Sequence, residues 1–173
     1  MEFIDVIKSR RSIRSFLDKN VPDELILKML DAARYAPSGG NCQPWHFYVI
    51  RNKEMLKQLN EKVYKSSWFA EAPVAIVICA NIPESERRYQ DRGRNLYCIQ
   101  DTAAASQNIL LCARDLGLGG CWVGAFNEEQ CREILGLEKD MRPVVILPIG
   151  YPSSEPSAPQ RKSIEEITTF INN

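Results

Sequence analysis

Two short segments of this chain hold residues that could do chemistry. The first is Arg10-Arg11-Ser12-Ile13-Arg14, three guanidiniums and a hydroxyl within five residues. Arginine offers a fixed fork of donors that matches phosphate oxygens, so the cluster is a plausible phosphate grip. Taken alone, it more commonly marks a helix C-terminus whose cations suit the helix dipole. The second segment is Pro37-Ser38-Gly39-Gly40-Asn41-Cys42-Gln43-Pro44-Trp45, set directly before an apolar strand, His46 to Ile50. Its glycines let backbone approach a flat group, and the Asn41 and Gln43 amides can meet both donors and acceptors of a heterocycle edge. Alone, it reads as a loop whose amides satisfy their own backbone. A phosphate grip and a small-residue loop in one domain suggest a phosphorylated cofactor.

The elements that must position these groups follow from periodicity. A short helix runs from 2 to about 10, with Phe3, Ile4 and Ile7 on one face. Val21-Pro22-Asp23-Glu24 opens a second helix, because proline is tolerated in a first turn and acids suit the dipole there. Ile26, Met29, Leu30 and Ala33 form its buried stripe, and Pro37 ends it. A helix is expected from Lys53 to about Val63. Residues 73–80 are apolar throughout and read as a strand covered on both faces. Residues 82–94 read as a charged, irregular stretch that could lie over a site as a lid. A long helix follows to Leu116, apolar on more than one face and so buried, here between two subunits. Cys121 to Gly124 reads as a strand, Glu128 to Leu135 as a helix, and Val144 to Gly150 as the last core strand. Pro152, Pro156 and Pro159 make the segment after Gly150 an extended arm, 151–173, ending in a short turn at 163–167. The alternation predicts one domain over 1–173, a three-layer α+β or α/β arrangement.

Composition narrows the function classes. Lys plus Arg number 22 and Asp plus Glu number 22, so no global basic field argues for nucleic acid and no polybasic tail for anionic lipid. A second basic cluster, Arg87, Arg88, Arg92 and Arg94, is interleaved with Glu84, Glu86 and Asp91 and reads as a solvated face. The six cysteines form no CxxC pair, and His46 is the lone histidine, so neither zinc nor a compact iron–sulfur site is expected. The thiols suit a reducing cytosol as small buried groups, and no apolar run reaches membrane length. A cytoplasmic protein is the expectation. Gly117-Leu118-Gly119-Gly120 superficially follows a dinucleotide fingerprint, but the third glycine position is Trp122 and the order is helix then strand, so no Rossmann site is inferred. His46 reads as packing or surface, Trp45 as core, and Asn108 as a partner for backbone.

Together the two opening segments resemble the nitroreductase family of FMN-dependent oxidoreductases. The resemblance covers nearly the whole chain, from Arg10 to the Arg161-Lys162 pair. It implies a three-layer α+β sandwich with a central mixed sheet flanked by helices, in an intertwined homodimer with two FMN sites at the subunit interface. By that resemblance Arg10, Arg11, Ser12 and Arg14 hold the FMN phosphate, and Arg161 and Lys162 return to it from the C-terminal arm. Pro37, Ser38, Gly39, Asn41 and Gln43 contact the flavin, with Pro37, Ser38 and Gly39 reaching across from the neighbouring subunit. Trp122, Val123, Gly124 and Ala125 run along the ring, and the Gly124 backbone N–H faces N5. Family members often carry an acid near this position, whereas here Gly124 supplies no carboxylate. The implied reaction passes hydride from NADH or NADPH through the flavin to a nitroaromatic, quinone or similar small acceptor. No catalytic acid or base is expected, because the flavin carries the chemistry. Reductive dehalogenation, flavin modification and non-catalytic FMN binding are the alternatives.

Overall fold

The computed structural model describes residues 2–172. Its centre is a four-stranded sheet with strand order β1-β2-β4-β3. The strands are β1 (Trp45–Ile50), β2 (Val74–Asn81), β3 (Gly119–Gly120) and β4 (Met141–Gly150). Its ladders are all antiparallel; the parallel pairing expected of a mixed sheet is limited to one isolated bridge, Ser12 with Gly120. The helices are α1 (Phe3–Ser9), α2 (Asp23–Arg34), α3 (Lys53–Gln58), α4 (Ile82–Arg92), α5 (Cys98–Asp115), α6 (Glu128–Leu135) and α7 (Ile164–Ile167).

Strand β2 is apolar from Val74 to Ala80 because both its faces are covered. Val74, Ile76 and Ile78, with Val145, Leu147 and Ile149 of β4, pack on Ile26, Met29 and Ala33 of α2 and on Ala105, Ile109 and Ala113 of α5. Ala75, Val77, Cys79 and Ile146 face the other way, onto Leu56, Leu59, Val63, Phe69 and Cys131. Helices on both faces of one sheet make the three-layer α+β sandwich. Truncating a fully enclosed side chain such as Ile76 removes about 2–5 kcal/mol in such cores. Thr102 and Ser106 are buried on α5 without penalty, since each hydroxyl donates to a carbonyl one turn back, both at 2.7 Å.

Three expectations change. Residues 82–92 are helical rather than irregular. Pro83 sits in the first turn where it costs nothing, and the Glu84–Arg87 and Glu86–Arg94 pairs brace the turns. Only Ile82 and Ser85 are buried, so there was no apolar stripe to read. On α1 the buried residue is Val6, while Phe3, Ile4 and Ile7 are exposed. After Leu118 the regular strand is only Gly119–Gly120; beyond it, Val123 alone rejoins the sheet through a bridge to Ile146.

The arm begins anchored. Leu17 N–H donates to Tyr151 O at 2.9 Å, Ser153 N–H to Ser15 O at 3.1 Å, and Phe16 bridges Pro152. Arg114 of α5 pairs with Glu155. Beyond that point the arm is exposed, and α7 is a single turn closed by a capping box between Ser163 and Glu166.

Candidate functional site

The segment after α1 runs antiparallel to the start of the arm, and this brings opposite ends of the chain together. Arg10, Arg11, Ser12 and Arg14 line a cavity of about 360 Å³ with Pro156, Ser157, Pro159 and Arg161. Ser12 is seated by its bridge to Gly120 and by the Ile13 N–H to Gly120 O bond, 3.1 Å. That approach needs glycine next door. A Cβ on Gly119 would lie 2.3 Å from Ile13 Cγ1. The Gly119-Gly120 pair therefore serves close packing and not a dinucleotide.

The four basic groups are not equivalent. Arg10 is half-buried, and its guanidinium is pushed below its ordinary value by burial first and then by the charges of Arg161 and Arg11. Among the described residues neither Arg10 nor Arg161 has a carboxylate partner. Arg11 lines the cavity but spends Nη1 on Lys8 O at 2.7 Å and Arg10 O at 2.9 Å, the helix-end role that its position suggests. Arg14 lies 6.0 Å from the centroid of the Trp68 ring, and its charge also acts on the buried Cys121 thiol. Burial pushes that thiol up, and Arg14 beside it works the other way. Lys162 is exposed and does not line the cavity. Like charges gathered without carboxylates fit an anion with several acceptor oxygens, and a phosphate meets that description.

The loop after α2 is held by different contacts. Gly40, Asn41 and Gln43 have φ of 55°, 57° and 49°, the left-handed region, which Asn tolerates better than Gln. Ser38 Oγ accepts from Gln43 N–H at 3.0 Å, and Arg88 Nη1 donates to Gly40 O at 3.0 Å. Both oxygens of Asp101 on α5 accept the Gly39 N–H, at 3.2 and 3.3 Å. Asp101 is buried, and burial raises its carboxyl above the ordinary range while the Gly39 N–H works against that. The Asn41 and Gln43 side chains are exposed, with no partner among the described residues. Pro37, Ser38 and Gly39 line a cavity of about 320 Å³ with Tyr97, Gln100, Asp101 and Ala104. This is separate from the arginine cavity, so one chain does not bring the two segments together.

In the third segment Val123 is buried and locked to Ile146 by two 3.0 Å backbone bonds, while Trp122, Gly124 and Ala125 are exposed. The Gly124 N–H has no partner among the described residues, and a Cβ there would meet the Trp122 ring, Nε1 at 3.4 Å and Cδ1 at 3.7 Å. Glycine thus leaves this main chain open. His46 is exposed beside Tyr48, and Asn108 Nδ2 donates to Ala32 O at 3.0 Å, a backbone partner as expected. No three His, Cys, Asp or Glu side chains among the described residues are placed to hold a metal ion, and no helix is long and apolar enough to cross a membrane.

Sequence reasoning missed Asp101 as the support of Gly39 and missed Tyr89 and Tyr97 beside that loop. A single charged residue within the otherwise uncharged stretch from Cys98 to Ala113 was the available signal for Asp101.

A three-layer sandwich in which both chain ends line one arginine-rich cavity defines an α+β domain with a candidate anion site. The pattern of the nitroreductase family matches residues 7–67 and 57–151, and the chain belongs to that family. A relative from Methanothermobacter thermautotrophicus, provisionally named NADH dehydrogenase/NAD(P)H nitroreductase, is 39% identical over 160 residues, 90% of this chain and 80% of the relative. Among solved structures, an FMN-dependent nitroreductase from Clostridium difficile R20291 superposes with a TM-score of 0.81 at 32% identity, covering 98% of this chain and 99% of that one. Mouse iodotyrosine deiodinase 1 is also similar, 27% identical over 98% of this chain and 70% of its own length.

Proposed function

We propose that the protein is an FMN-dependent oxidoreductase that takes hydride from NADH or NADPH and delivers it to a small acceptor such as a nitroaromatic or quinone. The observation that carries this reading is the arginine cavity, where Arg10 and Arg161 meet from opposite ends of the chain with no carboxylate among the described residues that line it. The chemistry supplied by bound flavin is acceptance of hydride from a nicotinamide and its return to an acceptor.

The chain's own residues hold and orient. Arg10, Arg14 and Arg161 neutralise the phosphate, Ser12 donates its hydroxyl, and Arg11 contributes what donors remain after its helix-end bonds. Lys162, next in sequence, strengthens the field from outside the cavity. The free N–H of Gly124 offers a main-chain donor to N5, between Trp122, Val123 and Ala125. The open carboxamides of Asn41 and Gln43 suit the pyrimidine edge. Pro37, Ser38 and Gly39 complete the site of a second copy, which accounts for the two separate cavities in one chain. The working form is thus a homodimer of single FMN-binding domains, each with an extended arm from residue 151 onward, and its thiols suit a reducing cytoplasm.

The test is direct. Purified protein should be yellow, and NADH or NADPH should bleach it in anaerobic stopped flow, with colour restored by a nitroaromatic or quinone. Flavin that binds but is never bleached would leave an FMN carrier instead. Likeness to the mouse deiodinase makes reductive dehalogenation the second reading, and release of halide from halotyrosines would favour it.

A further inference from the structure

The arginines of α4 and the turn after it divide into two kinds. Arg87 pairs with Glu84, and Arg94 makes two bonds to Glu86, at 2.6 and 2.7 Å, with Asp140 nearby. Arg88 and Arg92 have no ion pair among the described residues, although the exposed Asp91 lies between them in sequence. They rest on aromatic rings instead. The Arg88 guanidinium lies 5.6 Å from the Tyr89 ring centroid and donates to Gly40 O at 3.0 Å. The Arg92 guanidinium lies 5.1 Å from the Tyr97 ring centroid and donates from Nε to the Tyr97 hydroxyl at 3.2 Å. The two rings meet edge to face, 4.9 Å between centroids at 75°.

This cation–aromatic group is attached to the loop of the proposed site. A Cβ on Gly39 would lie 3.3 Å from Tyr97 Cδ2, and one on Gly40 would lie 2.6 Å from the Tyr89 hydroxyl. Between the two arginines, Gln90 takes φ 49° and ψ −131°, a backbone conformation unfavourable for a residue with a side chain. That break in the helix separates Arg88 from Arg92 while both stay beside the tyrosine pair. Each guanidinium keeps donors unused, and arginine binds a carboxylate through a two-point fork.

We infer that Arg88 and Arg92 form an anion-receiving rim that selects aromatic acceptors carrying a carboxylate. The ring of such an acceptor lies against Tyr89 and Tyr97, and its carboxylate meets the two guanidiniums. The inference rests on the function proposed above, since it takes the Pro37–Gly39 loop to border the flavin of a second copy. The same anion chemistry could come from the extra phosphate of NADPH, and the test separates the two sources.

The full chain, loaded with FMN, is assayed with 4-nitrobenzoate and with neutral nitrobenzene, using NADH and then NADPH. Wild type is compared with Arg88→Gln, Arg92→Gln and Arg92→Lys. The ratio of kcat/KM for the anion to kcat/KM for the neutral acceptor should fall about tenfold in each glutamine variant, the loss of one charge-assisted contact. Arg92→Lys should keep most of the preference, and calorimetric binding of 4-nitrobenzoate should weaken by the same factor as the ratio. A ratio that does not move overturns the inference. So does a change confined to the NADPH-to-NADH ratio, which assigns the rim to the donor phosphate. Among the described residues the Arg92 side chain hydrogen-bonds to Tyr97 alone, so its variants decide the matter even where Arg88→Gln loosens the Gly40 loop. A wild-type protein that holds no FMN sinks the proposed function itself, and is seen before any variant is made.

Discussion

Replacing Arg10 by methionine should move two properties in opposite directions. The side chain is half-buried among Arg161 and Arg11, with no carboxylate partner among the described residues. With phosphate present, it supplies a charge-assisted contact worth about 1.5–3 kcal/mol. Its loss should weaken FMN by roughly 10- to 150-fold. Without phosphate, the same guanidinium is repelled by its neighbours, the second cause of its lowered pKa after burial. Relief of that repulsion should stabilise the flavin-free protein, by no more than about 1 kcal/mol because the group is partly in water. Methionine keeps most of the stem's packing, so the charge is what changes. Flavin fluorescence titration gives the first quantity, and thermal unfolding with and without FMN gives the second. Both differences should shrink as salt is raised through the range where charges on a partly exposed cluster are screened. Arg161→Met should behave likewise, whereas Arg11→Met should cost less affinity, since its Nη1 is committed to Lys8 O and Arg10 O. Flavin affinity within about twofold of wild type in both Arg10→Met and Arg161→Met would refute the clamp, as a lost charge-assisted bond cannot be that small.

Other perturbations test the parts that position the site. Gly119→Ala puts a Cβ 2.3 Å from Ile13 Cγ1 and 3.1 Å from Pro152 Cγ, so urea unfolding should show a loss of about 1–3 kcal/mol and FMN should bind more weakly as Ser12 shifts. Burial pushes the Cys79 and Cys131 thiols up to about 12, so both should resist thiol reagents at pH 8 until the protein unfolds, while the half-exposed Cys42 reacts. Asp101 binds its proton more tightly when folded, because burial raises it, so its contribution to stability is greatest at low pH and is lost as pH rises from its unfolded value of about 3.9 through the higher folded one. Asp101→Asn carries no such proton, and its stability relative to wild type should therefore rise over that window and then level. Parallel stability curves for the two would show that the carboxyl is not desolvated.

Much of the layer structure was legible because burial wrote it into the chain. An all-apolar run from Val74 to Ala80 needs cover on both faces, and the stripe Ile26, Met29 and Ala33 needs one sheet face. Asn127 capping Gln130 N–H at 3.0 Å and Gly136 at φ 61° bound α6 where turn chemistry says they should. What could not be read was structure that burial does not specify. Helix α4 is held by ion pairs and by the close approach of Gly93 to Ser85 O, where a Cβ would sit at 2.4 Å, and neither leaves a periodic trace. Its charges looked like a solvated face, and for Arg87 and Arg94 they are paired as such; only geometry separates Arg88 and Arg92 from them. On α1, Phe3, Ile4 and Ile7 do share an apolar face, but hydrophobicity does not say whether the surface that covers it belongs to the same chain.

The same asymmetry decides how the candidate site should be weighed. A helix-end role explains Arg11, whose donors go to backbone carbonyls, and nothing further is needed for it. It does not explain Arg10 and Arg161, which come from positions 151 residues apart and converge with no acidic partner among the described residues. Holding like charges together costs free energy in the empty protein, and an arm anchored at Ser153 and Glu155 is an unnecessary route to a solvated surface. The arrangement becomes favourable once a multiply charged anion lies between the guanidiniums, which then act as partners of one ligand and no longer as rivals. A compact phosphate alone would satisfy that geometry, but it would leave the exposed amides of Asn41 and Gln43, the free N–H of Gly124 and the separate Pro37–Gly39 cavity without a purpose. A long cofactor with phosphate at one end and a flat heterocycle at the other accounts for all of them in a pair of chains, and for fewer in one.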